Sequence, residues 1–224
     1  MDLIQALRTT GAIRDFFPDA IDDAVVHRIL DNARFAPSGG NRQGWRVVVV
    51  KDPDTRRALR DLYRPGWHDY LAQRMAGLTP WAPITDRDAE FEARKGAATM
   101  PAGTGFPENL DEVPVLLVVL VDLRALAAVD RDLPRYTFAG GASVYPFVWN
   151  VLLAAREEGL GGVMTTMVIQ REVEVMALLD APSEMAVAAL VALGRPVREL
   201  RRLTRGDVKD FATADRVTGP AFTG

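Results

Sequence analysis

The clearest candidate for binding chemistry is a short polar loop between a helical pattern and an apolar run. Residues 37–41 read PSGGN, and Gln43 and Trp45 follow before four consecutive valines. Ser38, Asn41 and Gln43 can donate or accept hydrogen bonds, and two glycines let the backbone approach a ligand closely. This composition suits a flat ligand with polar edges. The same residues are also good turn formers, and a turn needs no ligand.

Arginines near both ends of the chain are candidate ligands for an anion. Arg8 and Arg14 lie six residues apart, with Thr10 and a glycine between them, and could clasp a phosphate. A second set follows the last apolar run and consists of Arg198, Arg201, Arg202 and Arg205. On spacing alone, both sets also fit a solvated charged surface, which is the commoner role of such residues.

A third candidate is the glycine-rich segment at 159–167, GLGGVMTTM. Gly159 suits the position just after a helix. Gly161 and Gly162 add backbone conformational freedom, which the end of a helix does not require. The pattern is not a GxGxxG followed by a helix, so a Rossmann dinucleotide site is disfavoured.

Composition excludes several classes of chemistry. The 224 residues include no cysteine and only two histidines, which removes thiolate catalysis, disulfides and iron–sulfur clusters and disfavours a histidine-rich metal site. The net charge of -3 argues against nucleic acid as the main partner. The most apolar run, 113–121, is too short to span a bilayer, and no secretory signal is visible at the N-terminus. We expect a cytoplasmic protein without a membrane partner.

Hydrophobic periodicity predicts an α+β fold in a single domain covering 1–224. The order of helices and strands is not a simple βαβ alternation, so a doubly wound fold is not expected. Helices are predicted at 2–7, from 22–23 to about 36, from the turn at 51–54 to about 63, at 144–155 and at 170–179, and strands at 45–50, 113–122 and 185–193. The valine run is expected to be a well-buried strand.

Two segments do not fit this regular pattern. Residues 64–112 contain five prolines, and aromatic residues alternate there with charges, which is long for a connection. The segment is either a poorly ordered excursion or a lid whose aromatics face an apolar substrate. Residues 198–224 form a long polar tail that could wrap around a partner.

The loop at 37–45 resembles the flavin-binding signature of the nitroreductase family, the FMN-dependent NAD(P)H oxidoreductases. Gly44 stands where that family usually has proline, a change expected to loosen the turn. Residues 13–16 (IRDF) match the second half of the family's N-terminal Arg-Arg-Ser-x-Arg-x-Phe motif, but Thr10 and Gly11 stand where its paired arginines usually are. The segment at 159–166 resembles the element whose backbone amides approach the reactive N5 of the flavin.

The resemblance implies a central mixed sheet of about four or five strands with helices on both sides. It also implies a set of cofactor contacts and no side-chain nucleophile or general base. The implied contacts to FMN are Arg8, Thr10, Arg14, Pro37, Ser38, Gly39, Gly40, Asn41, Gln43, Met164, Thr165, Thr166, Arg202 and Arg205. Thr166 is the favoured source of a backbone N–H near N5. Arg205 ranks ahead of Arg202 as the phosphate ligand in the tail.

The implied function is hydride transfer from NAD(P)H through FMN to a nitroaromatic, quinone or similar small molecule by a ping-pong reaction. A dehydrogenase, a dehalogenase and a flavin-fragmenting enzyme stay open within the family. Outside it, a flavin-binding sensor without turnover and an α/β binding module without flavin stay open. The apolar helix after Gly141 and the long tail, together with the resemblance, predict an intertwined homodimer with FMN at the subunit interface.

Overall fold

The computed structural model describes residues 2–97, 100, 103–134 and 138–223 and contains a four-stranded sheet. The strands are β1 (Trp45–Val49), β2 (Val115–Asp122), β3 (Gly161–Thr165) and β4 (Met185–Gly194), arranged in the order β1-β2-β4-β3. All three pairings are antiparallel, so the prediction of a mixed sheet is wrong. Apolar runs carry no information on strand direction, which depends on how the connections cross the sheet. A single parallel bridge joins Ala12 to Gly162.

Helices cover both faces of the sheet, as predicted. The α-helices of the described residues are α1 (Leu3–Thr9), α2 (Asp23–Ala33), α3 (Pro53–Met75), α4 (Arg87–Lys95), α5 (Tyr145–Glu157) and α6 (Glu172–Leu178). Alternate residues of β2 point to opposite faces. Leu117 and its partners pack on α2 and α5 in a first buried cluster, and Leu116 and its partners pack on α3 and α6 in a second. None of these helices is both long and apolar enough to cross a membrane.

The starts of the first two helices agree with the predicted positions because carboxylates cap them. Asp2 accepts a hydrogen bond from the backbone N–H of Gln5 at 2.9 Å. Asp22 accepts one from the backbone N–H of Ala24 at 2.7 Å. Such caps satisfy donors that have no partner within the helix.

The segment at 64–112 is more regular than predicted. Helix α3, expected to end near Tyr63, continues through Pro65 to Met75. A proline inside a helix removes one hydrogen bond, but this helix is tightly packed on the turn that follows β3. A Cβ added at Gly66 would lie 3.0 Å from the carbonyl oxygen of Met167. Packing therefore outweighs the local helix-breaking signal.

Strand β3 falls in the segment that sequence reasoning treated as a glycine-rich loop. A Cβ at Gly162 would lie 2.4 Å from Cδ2 of Leu193 and 2.8 Å from the carbonyl oxygen of Ala192. The glycine is therefore required for close packing inside the sheet, and not for flexibility.

The valine strand is less buried than predicted because β1 lies at an edge of the sheet. Trp45 is buried and stacks on Phe147, with ring centroids 4.8 Å apart. Val49 at the other end of the strand is exposed. An edge strand has a neighbouring strand on one side only. The apolar run alone does not show that the strand lies at an edge.

Candidate functional site

The loop between α2 and β1 folds into a tight turn closed by its own polar side chains. The backbone N–H of Gln43 donates to Oγ of Ser38 at 3.0 Å, and Nε2 of Gln43 donates to Oδ1 of Asn41 at 3.1 Å. Asn41 and Gln43 have φ angles of 54° and 50°, and Gly40 has 60°. Residues other than glycine rarely adopt such angles, and strain of this kind clusters at functional sites.

The same loop is fixed to the turn that precedes α5. The backbone N–H of Gly39 donates to Oγ of Ser143, which is buried, at 3.0 Å. A Cβ added at Gly39 would lie 2.6 Å from Cβ of Ala127. Only glycine allows this approach, so the position of the loop depends on it.

Gly44 does not loosen the turn as expected. Its carbonyl oxygen accepts a hydrogen bond from the backbone N–H of Asp122 at 2.8 Å, and an added Cβ would lie 2.9 Å from Cβ of Ala125. The Arg124 side chain donates to both carboxylate oxygens of Asp122, at 3.0 and 2.7 Å, and these bonds lower the pKa of Asp122 to about 2. The end of β2 therefore keeps its charge and its shape at neutral pH.

A second group of candidate residues lies on the N-terminal strap, residues 10–16, which runs along the free edge of β3. The backbone N–H of Ile13 donates to the carbonyl oxygen of Gly162 at 2.9 Å. Thr10 is 7% exposed, and its hydroxyl has no hydrogen-bond partner within the described part of the chain. A buried polar group without a partner is costly, so this hydroxyl lacks a hydrogen-bond partner that a bound ligand or a second copy could supply.

The charge of Arg14 on this strap acts on a buried tyrosine, Tyr63, that sequence reasoning did not select as a site residue. Tyr63 is 1% exposed, and Thr165 donates from its hydroxyl to the Tyr63 oxygen at 3.3 Å. Burial raises the pKa of Tyr63, while the bond from Thr165 and the charge of Arg14 lower it by smaller amounts. The phenol is therefore neutral at physiological pH. A hydroxyl on an apolar helical face was the only signal in the sequence.

A cleft of about 380 Å³ opens beside Arg14. Its other walls include Phe16, Phe106, Asn109 and Glu112. Phe106 packs edge-on against Tyr63, with ring centroids 6.1 Å apart. The volume falls within the usual range for small-molecule sites.

The C-terminal tail lies beside the strap, which brings the two sets of arginines to one region. The backbone N–H of Leu203 donates to the carbonyl oxygen of Arg8 at 3.3 Å. A Cβ at Gly11 would lie 2.8 Å from Cδ1 of Leu200 and 2.8 Å from Cδ2 of Leu203. Leucines of the tail therefore occupy the space that a larger residue at position 11 would need. The two favoured tail arginines, Arg202 and Arg205, are exposed and close in sequence to this contact.

The end of β3 provides the third predicted segment. Thr165 shares a sheet face with Val163 of the second buried cluster, whereas Met164 points to the other face and is partly exposed. Thr166 follows the strand and lines a pocket of about 350 Å³. Trp81, Met167, Ile169 and Gln170 complete that pocket.

One copy of the chain does not bring all the predicted residues together. The strap, the end of β3 and the tail form one group. The loop at 37–43 lies beyond β1, and two strands separate β1 from β3. With strands about 4.8 Å apart, this separation is about 14 Å. The loop also packs on the turn before α5, a helix on the opposite face of the sheet from Tyr63.

The described residues include no group of three or more His, Cys, Asp or Glu side chains that could hold a metal ion. The donors near the strap are guanidinium and hydroxyl groups. Such donors suit a phosphate or a polar ring edge.

Comparison with known proteins gives consistent matches over most of the chain. A model of the nitroreductase family matches residues 7–195. The NADH dehydrogenase of Thermus thermophilus is 32% identical over 199 residues, which cover 89% of each protein. A 5,6-dimethylbenzimidazole synthase of Rhodobacter capsulatus is 43% identical over 196 residues, covering 87% of this chain and 83% of that protein. The solved NADPH:FMN oxidoreductase of Vibrio harveyi has a similar fold, with a TM-score of 0.65 at 20% identity, over 95% of this chain and 76% of that one.

Proposed function

Because the chain belongs to the nitroreductase family, we propose that it is an FMN-dependent oxidoreductase that transfers hydride from NAD(P)H to a nitroaromatic, quinone or similar acceptor. The observation that carries the proposal is the buried, unpartnered hydroxyl of Thr10, which lies on the strap between Arg8 and Arg14. A phosphate or polar ring edge would supply the acceptor that this hydroxyl lacks.

The residues of the strap, the end of β3 and the tail are of the types that would bind FMN. Arg8, Thr10 and Arg205, with Arg202 as the alternative in the tail, would hold the single phosphate through charge-assisted hydrogen bonds. Arg14 would hold the polar edge of the ring, where its positive charge stabilises negative charge on the reduced flavin. FMN, when bound, supplies the hydride chemistry, because the chain has no thiol and its described residues include no group that could hold a metal ion.

In the proposed reaction the protein positions the flavin, supports the residues that contact it and excludes water from it. Thr165 and Thr166 lie at the end of β3, where backbone N–H groups would face the reactive part of the ring. The oxygen of Tyr63, a neutral phenol, accepts a hydrogen bond from the hydroxyl of Thr165 and so holds that side chain in place. The aromatic residues of 64–112 would cover the open face of the ring.

In this proposal the loop at 37–43 contacts the flavin as part of a homodimer. Within one copy the strand that follows the loop is about 14 Å from β3 across the sheet, and the equivalent loop of a second copy would complete the site. Two apolar surfaces are available for that contact. All the apolar side chains of α1 are at least partly exposed, and Trp149 on α5 is 38% exposed.

A second activity at the same site is favoured by one comparison. The relative at 43% identity is a 5,6-dimethylbenzimidazole synthase, so chemistry in which the flavin itself is consumed is the alternative. The two activities differ in outcome: the flavin spectrum is restored after each turnover in the first and is lost in the second.

The direct test is the spectrum of the purified protein. We expect a yellow protein that releases FMN, and not FAD, on denaturation. Anaerobic NADH or NADPH should bleach the spectrum, and a quinone should restore it. A colourless protein that fails to bind added FMN would contradict the proposal, and progressive loss of FMN during turnover would favour the alternative.

A further inference from the structure

Helix α3 carries a row of basic side chains that contacts a neighbouring segment, residues 103–113. The row has one member at every fourth position of the helix: Arg56, Arg60, Arg64 and His68. Side chains at this spacing are neighbours on a helix surface. Each turn of this part of α3 therefore presents one basic group towards the segment.

Three members of the row are guanidinium groups, which stay charged at any pH that a folded protein meets. Nε of Arg56 donates to the backbone carbonyl oxygen of Asp111 at 2.7 Å. Arg60 pairs with the carboxylate of Asp111 at 2.9 Å, and Arg64 pairs with that of Glu108 at 2.8 Å. These three cations hold the segment without a change in their own charge near neutral pH.

His68 is the last member of the row, and histidine is the side chain whose charge changes near neutral pH. Its Nε2 lies 3.8 Å from Oε1 of Glu108, and each of the two side chains is 15% exposed. That distance is too long for a hydrogen bond, and Nε2 is a buried atom without a partner among the described residues. A shift of about 1 Å would complete the bond.

The charged groups around His68 are two carboxylates and three guanidinium groups: Asp69 and Arg64 on α3, Glu108 on the segment, Arg94 on α4, and Arg171 on the turn after β3. The carboxylates favour a charged imidazole, and the guanidinium groups oppose it. Asp69 is already paired with Arg94 at 2.7 Å, so Glu108 is the carboxylate that can respond to His68. His68 and the half-exposed Arg171 line a cavity of about 510 Å³, through which water reaches the imidazole.

The segment that contains Glu108 forms one wall of the cleft beside Arg14. Phe106 lines this cleft and packs edge-on against Tyr63. Oε1 of Glu108, the oxygen next to His68, also accepts a hydrogen bond from the backbone N–H of Gly103 at 3.2 Å. That bond closes the turn in which Phe106 lies, so the position of Glu108 is coupled to the cleft wall.

We propose that His68 is a pH-dependent latch for this wall. The protonated imidazole donates a hydrogen bond to Glu108 and holds the segment against α3. The neutral imidazole has no charge to attract the carboxylate, so the segment opens more often and the cleft beside Arg14 widens. Because His68 gains its partner in the latched state, protonation favours that state, and latching weakens as the pH rises through the histidine range. This inference goes beyond the proposed function and does not depend on it.

Hydrogen exchange of backbone amides measures how often the segment opens. The N–H groups of Glu108, Asn109 and Glu112 are suitable, because each is hydrogen-bonded within the segment. In the full-length protein we expect their protection, corrected for the intrinsic pH dependence of exchange, to be about fivefold higher at pH 6 than at pH 8, the upper range for a partly exposed ion pair. Equal protection at the two pH values would overturn the proposal.

Two variants fix the charge at position 68. His68→Gln is neutral at both pH values, so protection should stay at the lower wild-type level. His68→Lys is charged at both, so protection should stay at the higher level. His27→Gln is the control, because His27 is the other histidine of the chain and is exposed on α2. The wild-type pH dependence should persist in that control, and its loss there, or its persistence in either His68 variant, would assign it to another group and exclude the latch.

Discussion

Arg14 and Arg205 come from opposite ends of the chain, and neither pairs with a carboxylate within the described residues. If both hold FMN, Arg14→Ala and Arg205→Ala should each weaken FMN binding about tenfold or more, because each removes a charge-assisted hydrogen bond. Titration of the FMN-free protein, followed by quenching of flavin fluorescence, measures the effect.

Arg198→Ala is the matched control for the tail and should leave FMN affinity unchanged. Arg198 is exposed and precedes the leucines that contact the strap. A site emptied by Arg202→Ala but not by Arg205→Ala would show that Arg202, and not Arg205, is the ligand from the tail.

At this scale the sequence identified some residues and not others for physical reasons. Polar residues beside glycines, such as Ser38 and Asn41, can be recognised as candidate ligands from the sequence alone. Tyr63 cannot, because its role depends on Thr165, a residue about a hundred positions away that reaches it only through the folded sheet.

Among the elements, the loop at 37–43 is the one whose position depends on a close backbone contact, which it makes at Gly39. Gly39→Ala would place a Cβ 2.6 Å from Cβ of Ala127 and 3.3 Å from Oγ of Ser143. The loop would have to shift and lose its bond to Ser143, so we expect a loss of about 1–3 kcal/mol in the free energy of unfolding. FMN occupancy should fall as well, and both are measured on the same preparation.

Gly96→Ala is the control for that substitution. Gly96 caps α4 with ordinary helical angles, and an added Cβ would make a normal contact of 3.6 Å with the carbonyl oxygen of Ala93. Stability should stay the same or rise slightly. Unchanged FMN occupancy in Gly39→Ala, despite reduced stability, would remove the loop from the cofactor site.

Element boundaries were predictable where a local interaction sets them. Asp2 and Asp22 cap their helices through neighbouring N–H groups, so the sequence locates these starts. Helix α3 and strand β3 were misjudged because Pro65 and Gly162 carry local signals that long-range packing overrides. The contact between Gly66 and Met167 joins residues a hundred positions apart, which no local pattern reveals.

For the whole molecule, the α+β class followed from hydrophobic periodicity, and the helices on both faces followed from the family resemblance. The direction of the strands did not, since the same apolar runs fit parallel and antiparallel neighbours. The separation of the loop at 37–43 from β3 could be seen only once the strand order was known. This separation is the structural argument for keeping the homodimer as part of the proposal.

If each FMN is held by both copies, flavin binding and dimerisation are linked. A ligand that binds only the dimer stabilises it by mass action. We therefore expect the FMN-free protein to dissociate on dilution at concentrations where the loaded protein stays dimeric, as measured by sedimentation velocity.

A charge placed in the interface should give the same result without dilution. Trp149 on α5 is 38% exposed and apolar, so Trp149→Glu should produce a monomer with little bound FMN. Val173 on α6 is 80% exposed, and Val173→Glu adds the same charge away from the proposed contact. That variant should stay a dimer with normal flavin content. A monomer that retains FMN and full activity would exclude the shared site, because one copy alone would then hold the cofactor without the partner's loop at 37–43.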